Sequence, residues 1–120
     1  MANAHWFIAG IMGATAIALG AFGAHALKAQ LALIPEASGW WSTATLYLLV
    51  HAVAVGAINP KSSSSLSCYL KWFWFFGSLI FSSTLYAMSL GAPRWLGMIT
   101  PVGGLLMILG WLLLAWAVRE

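Results

Sequence analysis

The chain has 120 residues, 62% hydrophobic and only 6% charged, with five Lys or Arg, two Glu and a net charge of +3. Soluble domains carry about 25% charged residues, so this sequence cannot cover a water-facing surface, and its mean hydropathy of +0.93 agrees. Five scattered cations make no nucleic-acid patch despite a pI near 9.4, Glu36 and Glu120 alone offer no carboxylate pair for acid–base work, and the single Cys68 excludes a disulfide within the chain.

A spanning helix needs about 20 apolar residues for a hydrocarbon core of about 30 Å. Four such stretches fit, at about 5–27, 40–58, 69–90 and 95–118. They predict an all-α integral membrane protein, a single membrane domain over residues 1–120 with four transmembrane helices in an up-down antiparallel bundle.

The first span ends at Lys28. Its Ala9, Gly13, Ala16, Gly20 and Gly23 recur at helical spacing, so one face is small enough for close approach. Ala24-His25-Ala26 has the form of a signal-peptide cleavage site. No Lys or Arg precedes the apolar stretch, which is also too long for a signal core, so it is expected to remain a span. The connection from Ala29 to Gly39 mixes Leu31, Leu33 and Ile34 with Pro35-Glu36, and reads as a short segment in the membrane interface or as a plain loop.

The second span carries Tyr47 one turn before His51 and ends at Asn59-Pro60. Lys61 and the run Ser62-Ser63-Ser64-Ser65 form a hydrophilic link. Lys71 can snorkel at the start of the third span, whose small residues are Gly77, Ser78, Ser82, Ser83 and Ala87. Gly91-Ala92-Pro93-Arg94 is a short turn, which makes the third and fourth spans a hairpin. The fourth contains Gly97, Gly103, Gly104 and Gly110, and Pro101 is expected to kink it near Thr100.

With an even number of spans, Lys61, Lys71 and Arg119 share one side and Lys28 and Arg94 the other, which favours cytoplasmic N- and C-termini. The eight Trp fall in two groups, Trp6, Trp72, Trp74, Trp111 and Trp116 toward one face and Trp40, Trp41 and Trp95 toward the other, as interfacial belts do. Trp111 lies deep enough to be a packing residue instead.

Ionisable residues inside a membrane are functional candidates by default. The candidate polar intramembrane site is His25, Tyr47, His51, Ser82, Tyr86 and Thr100; Gly13, Gly20, Gly23, Gly103 and Gly104 are the candidate helix-packing positions. His5 is expected to be wet at the interface. His51 should point into the bundle as a neutral imidazole, since one facing hydrocarbon leaves a donor and an acceptor unmet, with Ser82, Tyr86 and Thr100 as expected partners. His25 should reach the loop or water. The two inner His are poorly placed to share a metal or haem, because His25 lies roughly 5 Å and His51 roughly 16 Å from the same membrane face. No zinc ligand set, phosphate loop or catalytic triad is present, so no enzyme activity and no cofactor are predicted.

Several strings, in order along nearly the whole chain, resemble one family. They are Gly20-Ala21-Phe22-Gly23-Ala24-His25-Ala26-Leu27-Lys28; Trp41-Ser42-Thr43-Ala44 with Tyr47 and His51-Ala52; Phe81-Ser82 leading to Leu85-Tyr86; and Leu96-Gly97 leading to Ile99-Thr100-Pro101, Gly103-Gly104 and Gly110-Trp111. The chain is thereby similar to the YgdD/YwdK-type family of small uncharacterised membrane proteins. Ser83 departs from it, standing where a Gly is expected. The resemblance implies a four-span protein of the bacterial inner membrane with eukaryotic relatives, and brings no established activity.

Three functions remain open. The first is a structural or accessory membrane protein that packs with itself as a homo-oligomer or with a larger membrane complex. The second is a small oligomeric transporter or channel. The third is a lipid- or quinone-binding protein using the His25, Tyr47 and His51 region. Membrane lipid is a partner in each and nucleic acid in none.

Overall fold

In the computed structural model, residues 4–58 and 65–117 are described; the Asn59-Pro60-Lys61 link, most of the Ser run, Arg119 and Glu120 lie outside them. The described chain is all helical. Helix α1 is Ala4–Ala24, α2 Lys28–Leu31, α3 Ala37–Ala57, α4 Ser65–Ser89 and α5 Thr100–Ala117, with a 3₁₀ turn at Arg94–Met98. Three stretches are long and apolar enough to cross a membrane: Ala4–Ala24, Ala37–Ala57 and Arg94–Trp116. At 1.5 Å per residue the first two are each about 31 Å long, matching a hydrocarbon core. Helix α4 has 25 residues, but its Ser, Thr, Tyr and Trp side chains make it the least apolar of the four long helices.

Large apolar side chains cover the outside. Phe7, Ile17, Val53 and Met98 are 72%, 65%, 67% and 79% exposed. A helix apolar all round is stable when lipid replaces water on its outer face.

Small residues set the helix contacts. Helix α1 lies on α3, with Gly13 facing Ala52 at 3.9 Å, Gly20 facing Thr45 at 3.2 Å from the position a Cβ would take, and the Trp41 indole seated directly on Gly23. Late α1 meets early α3, and Ala9 meets Gly56 at the other end. Ser82 and Ser89 of α4 reach Ala44 and Ala37 of α3. Helices α4 and α5 come closest where Gly77 and Gly103 put backbone on backbone, and the Trp74 indole covers Gly110. Among the described residues no comparable contact joins α1 to α5. The helices thus form a folded row, α1 on α3, α3 on α4, α4 on α5. Met12, Ala16, Leu48, Ala52, Val55, Leu70 and Trp74 form its main core, with Ala44, Leu85 and Met88 as a second cluster.

Helix boundaries differ from the apolar stretches for physical reasons. Helix α3 begins at Ala37 rather than Trp40, and α4 at Ser65 rather than Tyr69. Hydropathy marks where lipid begins, not where helical hydrogen bonding begins. The first connection contains one helical turn, α2, whose Leu31 is 3% exposed beneath Ala37 and Trp41, while Leu33 projects outward. Helix α4 stops in a Schellman arrangement. Ala92 N–H donates to Ala87 O at 3.0 Å and Gly91 N–H to Met88 O at 3.1 Å, with Gly91 at a φ of 105° that side chains disfavour. Pro101 does not bend a continuous helix. It occupies the first turn of α5, where its missing N–H has no partner to lose, and the preceding residues tighten into the 3₁₀ turn.

Candidate functional site

Most interior polar groups of the described residues are hydrogen-bonded, many of them across two helices; His5 Nε2 and Trp74 Nε1 are the exceptions. Trp41 Nε1 donates to Leu19 O at 2.7 Å, joining α3 to α1. Three bonds join α4 to α3: Ser82 Oγ to Ala44 O at 2.8 Å, Ser89 Oγ to Ala37 O at 3.1 Å, and the Thr45–Tyr86 hydroxyl pair at 2.7 Å. Thr84 and Thr100 share a hydroxyl pair at 2.6 Å between α4 and α5. Thr84 also donates to the carbonyl of Ile80, one turn back, and the single Ser89 hydroxyl proton is shared between Ala37 O and the closer Leu85 O at 2.8 Å. Buried hydroxyls in helices gain little unless satisfied, and the backbone carbonyl one turn earlier is the nearest acceptor.

His51 is 3% exposed. Its Nδ1 lies 2.7 Å from Tyr47 O, and its Nε2 accepts the Trp111 Nε1–H at 3.1 Å. One neutral tautomer, protonated on Nδ1, meets both partners at once. Its surroundings are aromatic. Trp111 and Trp74 lie edge-on at 5.9 and 6.4 Å, and the two indoles pack 4.6 Å apart. Trp74 is 2% exposed, and its Nε1–H, turned toward Gly110, has no hydrogen-bond partner among the described residues.

The hydroxyl partners expected for His51 are engaged elsewhere: Ser82 with Ala44, Tyr86 with Thr45 and Thr100 with Thr84. The partner found, Trp111, had been read as packing. Its side chain reaches His51 from α5 across 60 residues of sequence. Tyr47 lends its carbonyl rather than its phenol, which is half exposed beside Phe81 at 4.9 Å. His25 sits exposed in the turn between α1 and α2, away from the other five. His5 is not wet. It is 6% exposed, because it shares a helix face with Met12 and Ala16, and its Nε2 has no partner. The spacing of His5, Met12 and Ala16 carried that signal. The six candidate polar residues therefore separate into an aromatic knot around His51, an α3–α4 set around Tyr86 and Ser82, an α4–α5 hydroxyl pair and an outlying His25.

Thr45 is a bonded hydroxyl absent from the sequence expectations. It lies at helical spacing from a bonded neighbour, one turn after Trp41. No group of three His, Cys, Asp or Glu able to hold a metal ion occurs among the described residues.

Residues 19–104 match the family model described as a protein of unknown function, DUF423. The UPF0382 membrane protein SSP2132 of Staphylococcus saprophyticus is 39% identical over 82% of this chain and 82% of its own length. The UPF0382 inner membrane protein YgdD of Escherichia coli is 34% identical over 92% of this chain and 86% of its own. A fission-yeast relative, the UPF0382 membrane protein C1782.12c of Schizosaccharomyces pombe, is 34% identical over 88% of this chain and 93% of its own. No solved structure matches the chain. The match reaches from the glycines of α1 to those of α5, and with it the chain belongs to the DUF423 family of membrane proteins, a family of unknown function.

Proposed function

We propose that this protein is a structural or accessory subunit of the inner membrane, a single four-span domain in up-down order that packs with itself or with a larger membrane complex. The observation that carries the reading is the engagement of most of its interior polar groups, His5 Nε2 and Trp74 Nε1 excepted. Ser82, Ser89, Thr45, Tyr86, Thr84, Thr100, His51 and Trp111 each bond to another helix. A transporter or enzyme of this size needs such groups turned toward a path or a substrate; here they act as connections, at about 0.6 kcal/mol each.

Other features support the same reading. Late residues of each long helix meet early residues of the next, as an up-down order requires. Helix α4 has the length to cross, and its Ser82, Ser89, Thr84 and Tyr86 hydroxyls are bonded to α3 or α5, which offsets part of its lower hydropathy. Among the described residues no extensive contact joins α1 to α5, which leaves both outer flanks of the row open to a protein neighbour. The inner-membrane assignment follows the Escherichia coli relative's name. The balance of Lys61, Lys71 and Arg119 against Lys28 and Arg94 supports cytoplasmic termini.

The test is a pull-down of the tagged chain from native membranes in mild detergent, without crosslinker. A protein recovered in fixed stoichiometry, or an untagged second copy, supports the accessory reading. Recovery of the tagged chain alone overturns it.

A further inference from the structure

We propose that the groove between α1 and α3 binds one anionic phospholipid, with its phosphate at Lys28 and the Ser38 and Ser42 hydroxyls and an acyl chain along Leu46 and Leu49. The groove has a volume of about 520 Å³, within the range of about 300–1,000 Å³ typical of small-ligand sites. It differs from three other grooves of the described residues in having a charged side chain in its lining; the one among α1, α3 and α4 has the hydroxyls of Thr15 and Ser78 but no cation. Those between α4 and α5 and between α3 and α5 are lined by apolar and aromatic residues alone. This one has a cation and hydroxyls at one end and leucines at the other.

The gradient follows from helical spacing. Ser38, Ser42, Leu46 and Leu49 recur every three or four residues, so they occupy one face of α3. That face is polar beside Lys28 and apolar toward the middle of the helix. Both α1 and α3 are apolar enough to cross a membrane. The groove between them therefore runs from the level where α1 ends toward the hydrocarbon, in the order in which a phospholipid presents phosphate, glycerol and chain. Gly20 and Gly23 contribute no side chain to fill it.

The polar end is uncompensated. Glu36 is the one carboxylate side chain among the described residues, and it forms no ion pair with Lys28 there. Ser38 and Ser42 are exposed and make no hydrogen bond among the described residues, whereas Ser82 and Ser89 are each bonded to a backbone carbonyl. One ammonium and two free hydroxyl donors line the same groove as Leu46 and Leu49. Phosphate oxygens accept from all three, and the net negative charge of an anionic lipid answers Lys28. A zwitterionic lipid brings its own ammonium beside the phosphate and gains less. A second copy of the chain would lay an apolar helix over the cation and leave it unanswered.

The experiment is native mass spectrometry of the full chain, released from micelles containing equal amounts of dioleoylphosphatidylglycerol and dioleoylphosphatidylcholine. One phosphatidylglycerol is expected per chain, with a preference of about fivefold, the ratio equivalent to one Lys at an anionic surface. Lys28→Gln should reduce the preference to near unity while Arg94→Gln keeps it. Leu46→Trp, which fills the lower groove, should lower retention of both lipids. Equal retention of the two lipids by the unaltered chain overturns the proposal, as does an undiminished preference in Lys28→Gln. Should Lys28→Gln fail to fold, salt dependence of the unaltered chain decides. Screening should erase the preference as salt rises from about 0.05 to 0.5 M, and a salt-independent preference overturns the proposal.

Discussion

Gly103→Ala adds one methyl group where α4 and α5 are closest. The new Cβ would lie 2.5 Å from both the Gly77 carbonyl oxygen and the Phe81 nitrogen, backbone atoms that cannot rotate away. Ordinary contact begins near about 3.5 Å, so α5 must retreat by about 1 Å. Overpacking of this kind costs about 1–3 kcal/mol. The same retreat stretches the Thr84–Thr100 hydroxyl pair, now 2.6 Å, at a further cost of about 0.6 kcal/mol. Alanine's better helix propensity offsets about 1 kcal/mol, leaving a net loss of about 0.6–2.6 kcal/mol. The neighbouring Gly104→Ala is the internal control. Its Cβ meets only the Phe81 ring, at 3.8 Å, so the propensity gain stands and the variant should be neutral or up to about 1 kcal/mol more stable. Reversible unfolding in mixed micelles, followed by helical circular dichroism, compares the two. Equal stabilities, or a Gly103→Ala chain more stable than the parent, would refute the close approach of α4 and α5.

The His51 bond is tested by a double-mutant cycle. Trp111→Phe removes the donor to Nε2 and His51→Ala the acceptor, and their coupling should be about 0.6 kcal/mol; additive effects would mean that the bond contributes nothing. His51→Gln, which keeps a donor and an acceptor, should retain more stability than His51→Ala in the same unfolding assay, and equal losses would remove hydrogen bonding as the reason for the residue. A reporter fused after Glu120 should behave as cytoplasmic, and periplasmic activity would reverse the orientation.

The sequence made the stops and the close-approach faces legible, because both depend on local chemistry. Gly91-Ala92-Pro93 ends a helix by what Gly and Pro can and cannot do, and Gly13, Gly20 and Gly23 announce a narrow face whatever lies opposite. Partners across helices were less legible because they depend on rotational phase. The five residues of the 3₁₀ turn at Arg94–Met98 advance about 120° each instead of about 100°, which turns everything after Pro101 by about 100° relative to a continuous helix. That phase helps decide that α5 presents Trp111 to His51 and Thr100 to Thr84. Hydropathy left Ser65–Cys68 outside the third span, although helical bonding includes them. His5 was misread for a related reason. An end position suggested water, while its spacing to Met12 and Ala16 placed it on the buried face.

An accessory subunit has to be found with a protein neighbour. The most direct measurement is the mass of the particle cut from native membranes into lipid discs by polymer, without detergent, and weighed with and without its lipid. The chain is 12.9 kDa. The protein mass in each disc should exceed one chain by a fixed amount, either an integral number of further copies or a second polypeptide at constant ratio. Discs that hold one 12.9 kDa chain and lipid alone would contradict the assignment.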